Sequence, residues 1–152
     1  MQHEIHENGF LVSDDPTRLD FAVIHGFLKD CYWSPGIPMD VVKRAAAGSL
    51  CFGAYEEATG RQVGFARVIS DRATYAYLAD VFVLEPFRGR GLSKLLMRTI
   101  GSHPELQGLR RWMLMTRDAH GLYGQFGFTP MKDPTRAMEK TDPDVHRRGC
   151  AV

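Results

Sequence analysis

The stretch VFVLEPFRGRGLSKLL, residues 81–96, passes from a dense apolar run through Glu85-Pro86 into Arg88-Gly89-Arg90-Gly91 and then into a segment of helical periodicity. An apolar run stopped by proline, then paired glycines, then Leu92, Leu95, Leu96 and Ile100 on one face, reads as a strand–turn–helix junction. The first turn of a helix exposes unpaired N–H groups and a partial positive charge, so anions bind there without a dedicated side chain. Gly89 and Gly91 leave the backbone free to take left-handed angles and let a ligand come close. Arg88, Arg90 and Lys94 add cationic donors, the guanidinium fork matching phosphate bidentately, and Ser93 adds a hydroxyl. The junction therefore reads as a phosphate or pyrophosphate site.

Two common phosphate motifs do not fit it. A dinucleotide fingerprint needs a third glycine where Lys94 stands and an acid about 20 residues on, where Arg111 stands. A P-loop needs a glycine-lysine-hydroxyl ending, which is missing. An unrelated phosphate-binding α/β domain stays open at this point.

Working outward, Asp15 and Pro16 predict the start of a helix running to about Lys29, and Met39 to Ala47 predicts a second. The loop between them carries Tyr32 and Trp33. Leu50 to Tyr55 and Gln62 to Ile69 predict a hairpin, and Thr74 to Leu84 a longer third strand. After the junction helix, Arg111 to Thr116 predicts a fourth strand and Thr116 or Asp118 caps a short helix through Phe126. A last strand is expected within Met131 to Lys140. A strand–helix–strand step returns the chain in the same direction, so the expectation is an α/β (α+β) fold with one parallel step across residues 75–116. The ligand end of that step is the carboxyl end of the third strand, where the junction lies.

A chain of 152 residues, 44% hydrophobic and 24% charged, can bury a sizeable core as one domain over residues 1–152 without disulfide or metal. A formal charge of +1 argues against a general nucleic-acid binder. Cys31, Cys51 and Cys150 are odd in number and far apart, which predicts reduced thiols. His3 and His6 lack the further ligands of a metal site. There is no signal-peptide pattern and no run of ~18 apolar residues, so the expected location is cytoplasmic, with no membrane partner.

A second element, TRDAHGLYGQFGFTP at residues 116–130, predicts a short helix carrying Leu122-Tyr123 and ending at Phe126-Gly127-Phe128. Together the two stretches resemble the GNAT (GCN5-related) N-acetyltransferases. The acetyl-CoA motif of that family is a strand, then Q/R-x-x-G-x-G/A at a helix start, then a later helix with Leu-Tyr and a Gly-Phe ending. Arg88 to Ser93 and Leu122 to Phe128 occupy those places, and the element order fits across nearly the whole chain. Three positions depart from the pattern: Ser93 stands for Gly or Ala, Thr116 for Asn, and Ala79 for the strand Glu of polyamine-acetylating members.

The resemblance implies a mixed, mostly antiparallel twisted sheet flanked by helices, with acetyl-CoA as cosubstrate. It implies that the pantetheine arm lies along Val81, Phe82 and Val83, and that the phosphates meet Arg88, Gly89, Arg90, Gly91, Ser93 and Lys94, with Thr116 nearby. It also implies that Tyr123 protonates the departing sulfur after direct attack by a primary amine, through a tetrahedral intermediate; met alone, a Leu-Tyr pair would instead read as core packing. Asp80 is the one acid of the third strand; it either takes the amine proton, directly or through water, or is a hydrogen-bonded structural carboxylate pointing to the other face. Tyr32, Trp33, Tyr75 and Tyr77 are the candidates for the acceptor pocket, and His120 is a weaker candidate for a proton shuttle. The expected acceptor is a small amine with an apolar or aromatic body, since a polycation would need more carboxylates than Asp71, Asp80 and Glu85 provide. A homodimer is left open. The competing class is a CoA-binding sensor or regulatory module of the same fold with weak catalysis.

Overall fold

The structure is a computed structural model that describes residues 2–150; the side chain of Cys150 lies outside what it describes. Six strands form one sheet in chain order: β1 (Glu4–Glu7), β2 (Phe10–Ser13), β3 (Leu50–Glu56), β4 (Gln62–Ser70), β5 (Tyr75–Val83) and β6 (Arg111–Leu114). Neighbours pair antiparallel except β5 and β6, which are parallel. The helices are α1 (Phe21–Leu28), α2 (Met39–Ala47), α3 (Leu92–Gly101), α4 (His120–Gly124) and α5 (Val145–Cys150). This is the expected mostly antiparallel sheet with one parallel step through α3. Among the described residues no helix is long and apolar enough to cross a membrane.

The sheet separates two cores. On one face α3 buries Leu92, Leu95, Leu96 and Ile100 against Val12, Phe52, Val68 and Leu78. On the other, α1 and α2 bury Ile24, Leu28 and Val42 against Cys51, Phe65 and Phe82. Each strand side chain alternates between them, so both faces of the central strands are apolar.

Four elements differ from the sequence-based expectation. The hairpin β1–β2 is additional, and Asn8-Gly9 makes its two-residue turn with φ +51° and +80°, the left-handed pair that suits strand twist. Asp15 and Pro16 start only a single 3₁₀ turn over Pro16–Arg18; the chain then extends at Leu19 and α1 begins after Asp20, whose carboxylate accepts from the Ala22 and Val23 N–H groups. No strand forms in residues 131–140. That stretch is exposed throughout and holds a 3₁₀ turn at Pro134–Arg136, so no buried face drives its pairing. Finally, α5 follows it where no helix was expected.

Candidate active site

The site is organised by a kink in β5. Arg67 pairs with Ala79 and Phe65 with Phe82, so Ala66 alone faces Asp80 and Val81: a β-bulge. Asp80 takes φ +56°, the left-handed region that non-glycine residues seldom enter. The extra residue reverses the alternation of the strand. Ala76 and Leu78 point into the α3 core, whereas Phe82 points into the α1/α2 core. Simple alternation would carry Asp80 to the α3 face with Ala76 and Leu78; the bulge turns it to the α1/α2 face instead.

There Asp80 is held at both oxygens. The Trp33 indole N–H donates to Oδ1 at 2.9 Å, and Arg67 Nε donates to Oδ2 at 2.9 Å. A guanidinium nitrogen of Arg67 also donates to Ser49 Oγ at 3.0 Å, so the half-buried pair is fixed in orientation. Phe27 stacks on Phe82, ring centroids 4.1 Å apart, and Trp33 leans on Phe27 and Tyr32. Behind this carboxylate lies a cavity of about 190 Å³, walled by Leu28, Ile37, Val42 and Phe65, with Trp33, Ser34, Arg67, Asp80 and His146 as its polar lining.

On the other side of the bulge, β5 and β6 part. Their pairing runs from Tyr75–Arg111 to Leu78–Leu114 and stops, while β5 continues to Val83. The edge of β5 along residues 79–83 is thus free of β6. It leads into a groove of about 200 Å³ lined by Val83, Arg88, Gly89, Gly91, Ser93 and Lys94, closed by Leu122 of α4. Gly89 and Gly91 have φ +78° and +80°, and a β-carbon on either would meet nothing within 4 Å. Backbone angle, not crowding, requires glycine at these two positions. Arg88 Nε donates to the Val83 carbonyl at 2.9 Å, which ties its guanidinium to the end of β5 at the rim of the groove. Arg90 departs from the expected set: its guanidinium lies over the Phe87 ring and does not line the groove. Thr116 Oγ1 accepts from the Ala119 N–H at 3.0 Å and so shapes the entry to α4.

Tyr123 is 8% exposed and packs edge-on against Phe128; among the described residues no protein group hydrogen-bonds its hydroxyl, which is not fully sealed from solvent. Burial, then the neighbouring Tyr32 and Asp118, push its pKa above the ordinary tyrosine value, so it holds its proton at neutral pH. Tyr32, capped by the Arg117 guanidinium at 3.9 Å, links the α1–α2 loop to the start of α4. Of the four aromatic acceptor candidates, Trp33 alone lines the cavity. Tyr75 and Tyr77 stand lower on the same face of β5, where burial, then Tyr75 and Asp80, raise the pKa of Tyr77. His120 opens α4 and is exposed. Among the described residues there is no group of three or more potential metal ligands.

Sequence reasoning missed Arg67 and His146. An arginine inside the apolar run Val63 to Ile69 was a legible sign of a buried acid partner, whereas His146 sits in an exposed polar tail that carries no such sign.

Comparison with known proteins agrees with this geometry. The sequence profile of the family "Acetyltransferase (GNAT) domain" matches residues 47–130, from the end of α2 to just past α4. A Gibberella zeae protein named as an acetyltransferase is 31% identical over 137 residues, covering 76% of each chain. A Xanthomonas campestris pv. campestris protein assigned to the GNAT acetyltransferases has a crystal structure that superposes with a TM-score of 0.88 at 51% identity, covering 93% of this chain and 99% of that one. A GNAT family acetyltransferase from Elizabethkingia anophelis, whose crystal structure has acetyl-CoA bound, shares the fold with a TM-score of 0.63 at 11% identity, over 83% of this chain and 80% of that one. The chain belongs to the GNAT acetyltransferase family.

Proposed function

We propose that this chain is an acetyl-CoA-dependent N-acetyltransferase, acting by direct attack of a small primary amine with an apolar body. The observation that carries the reading is the β5 bulge: a groove lined by glycines and cations follows the end of that strand, and a cavity large enough for a small amine includes Asp80 of the bulge in its lining. The cradle fits a pyrophosphate: two left-handed glycines open the backbone at a helix N-terminus, and Arg88, Ser93 and Lys94 line it with donors. The unpaired edge of β5 at Val81, Phe82 and Val83 can take an extended amide-bearing arm as a further strand, and its N–H groups can hold a carbonyl oxygen as charge develops. The fold relative with acetyl-CoA bound supports that ligand.

Bound acetyl-CoA supplies an activated acetyl group and a thiolate that needs a proton on leaving. Tyr123 is suited to give that proton, because its raised pKa keeps the phenol intact until it is needed. Asp80, although paired with Arg67, keeps lone pairs at the cavity wall that can accept hydrogen bonds from an ammonium, and the apolar walls take the body of the acceptor. With one carboxylate there, balanced by Arg67, a polycation gains little.

Thiol release from acetyl-CoA across a panel of aryl-alkyl amines, amino acids, spermidine and lysine-rich peptide tests the reading. The expected result is amine-dependent release with at least tenfold higher kcat/KM for an aryl-alkyl amine than for spermidine. Tight acetyl-CoA binding with no release under any amine would instead mark a sensor module.

A further inference from the structure

The acceptor cavity has a wall that comes from the far end of the chain. Helix α5 places His146, half-buried, in the lining of the same cavity as Asp80 and Arg67. Among the described residues nothing hydrogen-bonds the His146 ring. Its polar neighbours in the lining are all engaged. Ser34 Oγ donates to the Leu28 carbonyl at 2.8 Å, and the Trp33 and Arg67 donors occupy both oxygens of Asp80. A neutral imidazole has one nitrogen with a free lone pair, and His146 is the imidazole in this cavity; Asp80, held by one donor on each oxygen, keeps lone pairs that can accept from an ammonium.

An amine reaches the cavity as an alkylammonium, with a pKa near ~10, and has no lone pair with which to attack until a proton leaves. We propose that His146 is the catalytic base, taking the first proton from the acceptor nitrogen while Asp80 holds the ammonium charge beside it. This rests on the acetyltransferase reading above. The balance is complete with groups at hand. His146 takes one proton from the ammonium and releases it to solvent; the freed lone pair forms the C–N bond as the C–S bond breaks. The sulfur takes the Tyr123 proton, and the second proton lost by nitrogen restores Tyr123 through water. Net, one proton goes to solvent for each amide formed.

The charged groups facing His146 are Arg67 from β4 and Asp80 from β5; α1, α2 and the loop between them present neutral side chains to the cavity. On α5 itself, Arg147 and Arg148 pair with Asp144 and Asp142. Substituting the histidine alone leaves Asp80 and Arg67 in place, so its part in the rate is separable from theirs.

The experiment is a pH profile of kcat/KM for an aryl-alkyl amine with the wild type, His146→Ala and His146→Gln, each with and without free imidazole. Acetyl-CoA affinity is followed by calorimetry, and binding of the amine by its shift of the His146 ring resonance. Expected are a saturable resonance shift absent from His146→Gln, a loss of about 10²-fold at neutral pH in both variants, loss of the acidic limb, imidazole rescue of His146→Ala, and unchanged acetyl-CoA affinity. If His146→Ala does not fold, His146→Gln carries the pH test. Unchanged kcat/KM and limb in the variants, or a pH-independent loss that imidazole does not relieve, would overturn the assignment. A wild type that acetylates no amine would instead bring down the acetyltransferase reading, and this base with it.

Discussion

Asp80 sits at φ +56°, a conformation that costs an ordinary residue about 1–2 kcal/mol. Hydrogen bonds from Trp33 and Arg67 to its charged oxygens offset that cost, each being of the order of 1.5–3 kcal/mol. Tyr123 shows the complementary case, an oxygen with no partner. Tyr123→Phe removes that oxygen and should lower turnover by about 10²-fold with acetyl-CoA affinity nearly unchanged; full turnover in steady-state kinetics would return the residue to the core. Tyr55 has a buried hydroxyl without a partner and sits 2% exposed on Gly53, where a β-carbon would come 2.2 Å from that hydroxyl. Burial pushes its pKa up to about 12. Because the folded value lies above the ordinary ~10, its contribution to stability is constant below that value and falls as pH rises toward 12. Tyr55→Phe should lessen the alkaline decline in denaturant titrations, Cys51 and the other groups with raised pKa keeping the rest, and, by removing an unsatisfied polar atom, leave the fold at least as stable at neutral pH.

The junction of β5 with α3 was legible because its requirements are local. Two left-handed backbone positions call for glycine, and the periodic leucines behind them call for a buried helix face. Gly91→Ala puts a β-carbon on φ +80°, which should cost about 1–2 kcal/mol of stability in urea unfolding and weaken acetyl-CoA binding in calorimetry. Unchanged affinity for acetyl-CoA would remove the cradle from the ligand site. Hairpin β3–β4 and helix α2 were legible for similar reasons. The bulge was not, because a strand with one extra residue has the same composition as a strand without it. The register with Arg67 and Phe65 reveals it, and that is a property of two strands together. The β1–β2 hairpin, by contrast, announced itself in Asn8-Gly9 between Ile5 and Leu11 and could have been read.

Across the molecule, the ends of the chain complete what the middle begins. His103 is buried, accepts the Glu105 N–H at Nδ1 and therefore donates from Nε2 to Asp14, 2.7 Å away; Asp14 also accepts the His3 N–H. This ties the N-terminal hairpin to the end of α3, and Asp14→Ala should cost about 1.5–3 kcal/mol in urea unfolding without changing acetyl-CoA affinity. Such long-range ties join residues far apart in sequence, which is why neither this pair nor the placing of His146 could be read from the sequence. The same separation divides the candidate site: the groove at the glycine–arginine junction lies mostly in one continuous stretch, whereas the cavity beside Asp80 draws on α1, α2, β4, β5 and α5. Direct transfer between those two halves is most plainly tested by mass spectrometry of both protein and amine after mixing with acetyl-CoA. Direct transfer predicts one acetylated amine per thiol released and a chain whose own mass never changes. An acetylated chain accumulating before the amine is added, or thiol released with no acetylated amine, would contradict it.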